Sequence, residues 1–189
     1  MLASRKVCLY NYNEVHMTNL YRDRYRISSA RLASWDYSWP GMYFVTVCTW
    51  QHSQFFGAIH DGVMSLSEIG QIAQEEWART PVLRPDMQLE LDAFCIMPNH
   101  MHAILVIGVN AYNVQSHGPQ GYGPQRKNLA SIMRGYKSAV TARAHTLDLA
   151  FAWQSRYHDH IIRNAADFQR IQEYIVTNPE RWQEDVFYM

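Results

Sequence analysis

The chain predicts an α+β domain: an antiparallel sheet in the ferredoxin-like order βαββαβ, with helices on one face and an added C-terminal helix. Three observations carry this. Four short runs are dense in β-branched and aromatic residues, and three longer segments repeat their apolar residues at helical spacing. The connection between the two middle strands, around Met97-Pro98-Asn99-His100-Met101-His102, is too tight to hold a helix, so that pair must be an antiparallel hairpin. At 189 residues, with 48% apolar or aromatic, the chain is long enough for one compact domain and something over.

The elements follow in order. Residues 1–35 are polar, rich in Arg, Tyr and Asn and without sustained periodicity, and read as a basic N-terminal arm; residues 36–189 form the domain. After the Pro40-Gly41 turn signal, Tyr43–Thr49 is a strand, and Ser67–Arg79 is a helix that opens on Ser-Glu and stops before Pro81. Gln88–Met97 alternates at its start and turns apolar on both sides, as a strand entering a core does, and His102–Ile107 is its hairpin partner. Residues 110–125, with Gly and Pro repeated in "GPQGYGPQ", read as a loop. Asn128 is a good N-cap for a helix running to about Ala144; Tyr157–Arg163 is the fourth strand; Ala165–Asn178 is the last helix, its inner face Phe168, Ile171 and Ile175.

Charge excludes little globally, because 17 basic residues balance 17 acidic ones, but its distribution is uneven. No acidic residue occurs between Ala93 and Leu147, a stretch that holds Arg126, Lys127, Arg134, Lys137 and Arg143. The arm adds Arg5, Lys6, Arg22, Arg24, Arg26 and Arg31 against Glu14 and Asp23. Either a solvated face or a phosphate-binding surface fits. Cys8, Cys48 and Cys95 are odd in number and show no CxxC spacing, and no apolar run has the length of a membrane span, which favours a reduced, cytoplasmic, soluble protein.

The hairpin carries the chemistry. Residues i and i+2 of a strand face the same way, so His100 and His102 stand side by side, where two imidazoles can share one metal ion; the structural alternative is a satisfied core histidine beside a turn cap. On the last helix Tyr174 and Asn178 are four residues apart and stack on one face, with Arg170 a turn earlier. Pro179 disfavours further helix and leaves the Asn178 amide at a helix end, free to turn inward. Tyr157, His158, Asp159 and His160 form a second polar cluster, read as a structural strand, and Tyr136 sits on the apolar stripe of its helix as a core residue.

Together "YFVTVCT", "FFGAI", "LDAFCIMPNHMHAILVI", "GYKSAVT", "WQSRYHDHIIRN" and "YIVTNPERW", in that order from about Ala30 to Trp182, resemble the REP-associated tyrosine transposases, Y1 transposases of the HUH single-strand nuclease superfamily. The resemblance implies a divalent metal, Mg²⁺ or Mn²⁺, on His100, His102 and Asn178, and Tyr174 as the nucleophile. The phenol attacks a phosphodiester of single-stranded DNA, leaving a 5′-phosphotyrosine link and a free 3′-hydroxyl that can later reverse the attack. It implies single-stranded or hairpin DNA as partner, no membrane, and either a monomer or a homodimer. Arg126, Lys127, Arg134 and Lys137 are candidates for the DNA backbone, Trp50 or Tyr122 for base stacking, and Asp159, His160 and Arg170 for groups that orient the site. Two other readings compete: a domesticated hairpin-binding protein that does not cut, and a structural zinc protein unrelated to nucleic acid.

Overall fold

The first strand, β1 (Gly41–Cys48), is the centre of the molecule because its alternation supplies both cores. Tyr43, Val45 and Val47 point to one face of the sheet, and Met42 and Phe44 to the other. In the computed structural model, which describes residues 32, 35–114 and 126–188, β1 pairs antiparallel with β5 (His100–Ile107) and β6 (His158–Ile162). β4 (Leu89–Met97) adds outside β5, so the sheet runs β4-β5-β1-β6. The basic arm up to Arg31, Tyr122 and most of the 110–125 loop lie outside the described residues.

Among the described residues three helices accompany the sheet: α1 (Glu68–Arg79), α2 (Leu129–Thr146) and α3 (Ala165–Thr177). Each starts on a side-chain cap that satisfies a backbone N–H the helix leaves unpaired: Ser67 for Gly70, Asn128 for Ser131, Asn164 for Asp167. Asn128 and Ser131 cap each other reciprocally. Helices α1 and α2 cover the face of Tyr43 and Val45, with Trp77 against Tyr136 at 5.3 Å between ring centres. At the edge of that contact Glu76, 3% exposed, accepts from Arg79 and Arg143, each at 2.9 Å.

Helix α3 lies on the opposite face, where Ile171 and Ile175 pack on Ile104 and Ile162. Burying side chains of this size contributes roughly 1.5–3 kcal/mol each, and Gln172 donating to Asp92 and His160 pairing with Asp167 add polar ties to the sheet. The three helices therefore divide between the two faces, and the added C-terminal helix has one largely to itself.

Two local differences from the sequence reading matter. Strand β5 begins at His100, so the hairpin turn is Pro98-Asn99 and both histidines stand on the strand. A hairpin, β2 (Gly57–His60) and β3 (Val63–Leu66), also precedes α1. Its turn residues Asp61 and Gly62 have φ of 51° and 75°, the left-handed pair that the Asp-Gly sequence favours. Gly57 at its foot has φ +133°, and a Cβ there would meet Ser65 O at 2.0 Å. Among the described residues, no helix is long and apolar enough to cross a membrane.

Candidate active site

The site lies on the α3 face of the sheet, at the β5 end that follows the Pro98-Asn99 turn. His100 and His102 are 0% and 2% exposed, and their Nε2 atoms converge to 3.0 Å. The surrounding bonds assign protons. Asn99 Nδ2 donates to Phe187 O at 2.8 Å, so Asn99 Oδ1 is the acceptor for His100 Nδ1–H at 2.8 Å, and His100 Nε2 carries a lone pair. His102 Nδ1 is 2.8 Å from Thr46 Oγ1, a hydroxyl that can donate or accept and so serves either tautomer.

Tyr174 reaches this pair from α3. Its hydroxyl is 3.1 Å from His102 Nε2 and donates to Asp185 Oδ2 at 3.3 Å; its ring meets the His102 ring at 5.1 Å between centres. Asn178, the C-cap of α3 and 3% exposed, donates from Nδ2 to the same Asp185 oxygen at 2.8 Å. Asp185 arrives because the chain turns back after Pro179 through a short 3-10 segment whose Trp182 packs 5.9 Å from His100. Phe187 then lies 4.6 Å from the His100 ring, and its N–H donates to Asp185 Oδ1.

Electrostatics follows from this enclosure. Burial, and then the charge of His52, push His100 down to about 3; burial and the neighbouring His100 push His102 well below its ordinary value, with Asp185 opposing. Both are neutral imidazoles at neutral pH, the form that ligates metal. Burial, then Asp185, push the Tyr174 phenol up, so it holds its proton.

The residues fit a divalent cation. The ligand atoms of His100, His102 and Asp185 lie within 4.8 Å of one another and could hold a metal ion. The 3.0 Å between the two Nε2 atoms is what neighbouring ligands at about 2.1 Å from one ion subtend at a right angle. Asn178 Oδ1 is buried without a hydrogen-bond partner beside this group, an orphaned acceptor that costs stability unless something binds it.

The structure thus brings His100, His102, Tyr174 and Asn178 together and adds Asp185, which the sequence reading missed. No spacing rule connects residue 185 to the histidines, and its only sequence signal was an acid eleven residues after the tyrosine. The residues expected to orient the site face away from it or bind other partners. Asp159 is opposite Val45 in register and turns to the α1–α2 face, where it acts on Tyr43. His160 shares the site's face but binds Asp167 at 2.7 Å, and Arg170 pairs with that same carboxylate; both hold the start of α3, two turns before Tyr174. Of the basic candidates, Arg126 and Arg134 are exposed, Lys127 pairs with Asp86, and Lys137 is half-buried. Trp50 is 52% exposed. Tyr136 is buried in the core and donates to Ala73 O.

No protein-family model matches the chain. An uncharacterized protein of Haemophilus influenzae is 34% identical over 170 residues, 85% of this chain and 92% of that protein. The REP-associated tyrosine transposase of Escherichia coli is 29% identical over 97 residues, 51% of this chain and 48% of that protein, so the match spans about half the transposase. The solved structure of a REP-associated tyrosine transposase bound to a REP hairpin superposes with a TM-score of 0.53, covering 82% of this chain and 74% of that one at 23% identity. The chain is thus similar in sequence, over half its length, to a REP-associated tyrosine transposase, and similar in fold to a hairpin-bound one. Its four-stranded antiparallel sheet and its helices match the neighbour's α+β fold.

Proposed function

We propose that the protein is a metal-dependent transposase that cleaves and rejoins single-stranded DNA at hairpins. The observation that carries the reading is the approach of the Tyr174 hydroxyl to His102 Nε2, 3.1 Å, and to Asp185 Oδ2, 3.3 Å, at the point where both histidine Nε2 atoms converge. A phenol on a helix end beside a cation site is the arrangement that nucleophilic attack on a phosphodiester needs. A relative named as a REP-associated tyrosine transposase and a structural neighbour bound to a REP hairpin support the substrate class.

In the proposed reaction the Tyr174 oxygen bonds to phosphorus and the bond to the 3′-oxygen breaks; the DNA 5′-phosphate stays on the tyrosine, and the departing 3′-oxygen takes a proton from water to leave as a hydroxyl. Asp185 Oδ2, already accepting from the phenol, is the acceptor for its proton. The phosphotyrosine ester keeps the energy of the broken bond, so a 3′-hydroxyl can rejoin without an external energy source. His100, His102 and Asp185, with Asn178 Oδ1, would hold the ion. When bound, Mg²⁺ or Mn²⁺ supplies Lewis-acid polarisation of the phosphate oxygens. Thr46 and Asn99 keep the two rings oriented through their Nδ1 atoms.

A denaturing gel tests this. Labelled single-stranded hairpin DNA incubated with the protein and Mn²⁺ is expected to give a protein-linked band that is absent with EDTA and absent in Tyr174→Phe. Retarded DNA on a native gel without any covalent band, across many hairpins, would support the binding-only reading and withdraw the catalytic one.

A further inference from the structure

Beyond the histidine pair, one other concave surface carries chemistry suited to DNA. Lys137, Ser138, Thr141 and Ala142 of α2, with Trp153, line an open groove of about 330 Å³. Residues 137 and 141, and 138 and 142, are one helical turn apart, so they present a single stripe. None of the five is acidic, and α2 belongs to the acid-free stretch from Ala93 to Leu147.

The groove is fixed relative to the catalytic strand. The segment around Trp153 lies along the end of β1: Trp50 N–H donates to Ala152 O at 2.9 Å, Thr49 bridges Trp153, and Gln154 N–H donates to Cys48 O at 3.0 Å. Cys48 is the register partner of His100.

Its two principal side chains are preorganised. The Trp153 indole N–H donates to Lys137 O at 3.0 Å, and the ring is held by Phe56, Phe151 and Tyr136 at 4.9–5.8 Å between centres. Lys137 Nζ sits 5.7 Å from the ring centre and donates to Gln154 O, which leaves two of its three N–H groups for another acceptor. Burial pushes this amine down to about 8. It stays largely an ammonium at neutral pH, and an anion in the groove would offset the cost of burying that charge.

We propose that this groove is a subsite for one unpaired nucleotide of the single strand flanking a hairpin, its base against Trp153 and its phosphate on Lys137. The inference rests on the proposed function and deepens it. An aromatic face and a cation tracking the backbone are the two elements of single-strand recognition, and neither requires a particular base.

The test is fluorescence anisotropy with a labelled DNA hairpin, blunt or carrying single-stranded extensions. The proteins compared are the wild type, Trp153→Leu, Lys137→Met and Ala142→Glu. Ala142 is exposed on a helix, so its replacement fills the groove with a carboxylate without touching the core. Extended hairpins are expected to bind each variant about tenfold more weakly than wild type, the worth of one stacked base, with blunt hairpins unaffected. An abasic nucleotide at one extension position should weaken wild-type binding as much and change nothing in Trp153→Leu. Extended DNA that binds all variants as it binds wild type, or an abasic scan without coupling to Trp153, overturns the subsite alone. Wild type that binds no hairpin of either kind overturns the function it rests on.

Discussion

Asn178 Nδ2 donates to Asp185 Oδ2 at 2.8 Å, and the same oxygen accepts from the Tyr174 hydroxyl at 3.3 Å. One buried carboxylate therefore joins the end of α3 to the chain that returns past it, beside two neutral imidazoles. Its charge is what a cation at the histidines would meet.

Replacing that charge should weaken the metal site. In Asp185→Asn, Mn²⁺ affinity measured by calorimetry is expected to fall about 10- to 100-fold. Asn178→Asp should act oppositely: two carboxylates 2.8 Å apart lower the melting temperature in EDTA, and Mn²⁺ raises it by more than in wild type. Unchanged affinity in Asp185→Asn would remove Asp185 from the ligand set.

Binding to the folded state alone raises stability by mass action, about 2.7 kcal/mol when Mn²⁺ is a hundredfold above its Kd. Thermal melts with and without Mn²⁺ should show this rise in wild type and lose it in His100→Ala and in His102→Ala. A rise that survives in both variants places the ion elsewhere.

The metal-free protein should be acid-labile. His100 and His102 have folded values below the ordinary 6.5, with His100 near 3, so above pH 6.5 they contribute no pH dependence. Below it the unfolded chain takes up protons that the folded chain refuses, and stability falls as pH falls, by up to about 1.4 kcal/mol per pH unit for each histidine. Urea unfolding in EDTA at pH 7.5 and pH 5 measures the slope, which His102→Gln should reduce. A wild-type slope no steeper than that of the variant would contradict the burial of neutral rings.

Helix α3 is held to the sheet by a small apolar cluster, in which Ile175 is 0% exposed. Ile175→Ala should cost about 2–5 kcal/mol, and because Tyr174 is the adjacent residue, adduct yield should fall below what the folded fraction accounts for. Denaturant unfolding and the gel assay on one preparation separate the two effects.

The sheet, the three helices and their caps were legible because each depends on neighbours within a few residues. Apolar period, Ser67 and Asn128 as caps, and Pro179 as a stop act locally, so sequence reads them directly. The β2–β3 hairpin was legible too, through Asp61-Gly62. The pairing of His100 with His102 follows from strand alternation alone, and Tyr174 with Asn178 from helical stacking alone.

What sequence alone determined, then, was the content of each element and which side chains share a face within it. Tertiary structure decided which faces meet. Packing of Ile171 and Ile175 on Ile104 and Ile162 puts Tyr174 over the histidines rather than with α1 and α2. It also decided that Asp159 turns away, that His160 and Arg170 serve the start of α3, and that Asp185 closes the site. Residues 85 positions apart are joined there by the burial of apolar surface, which is non-directional along the chain and leaves no spacing to read.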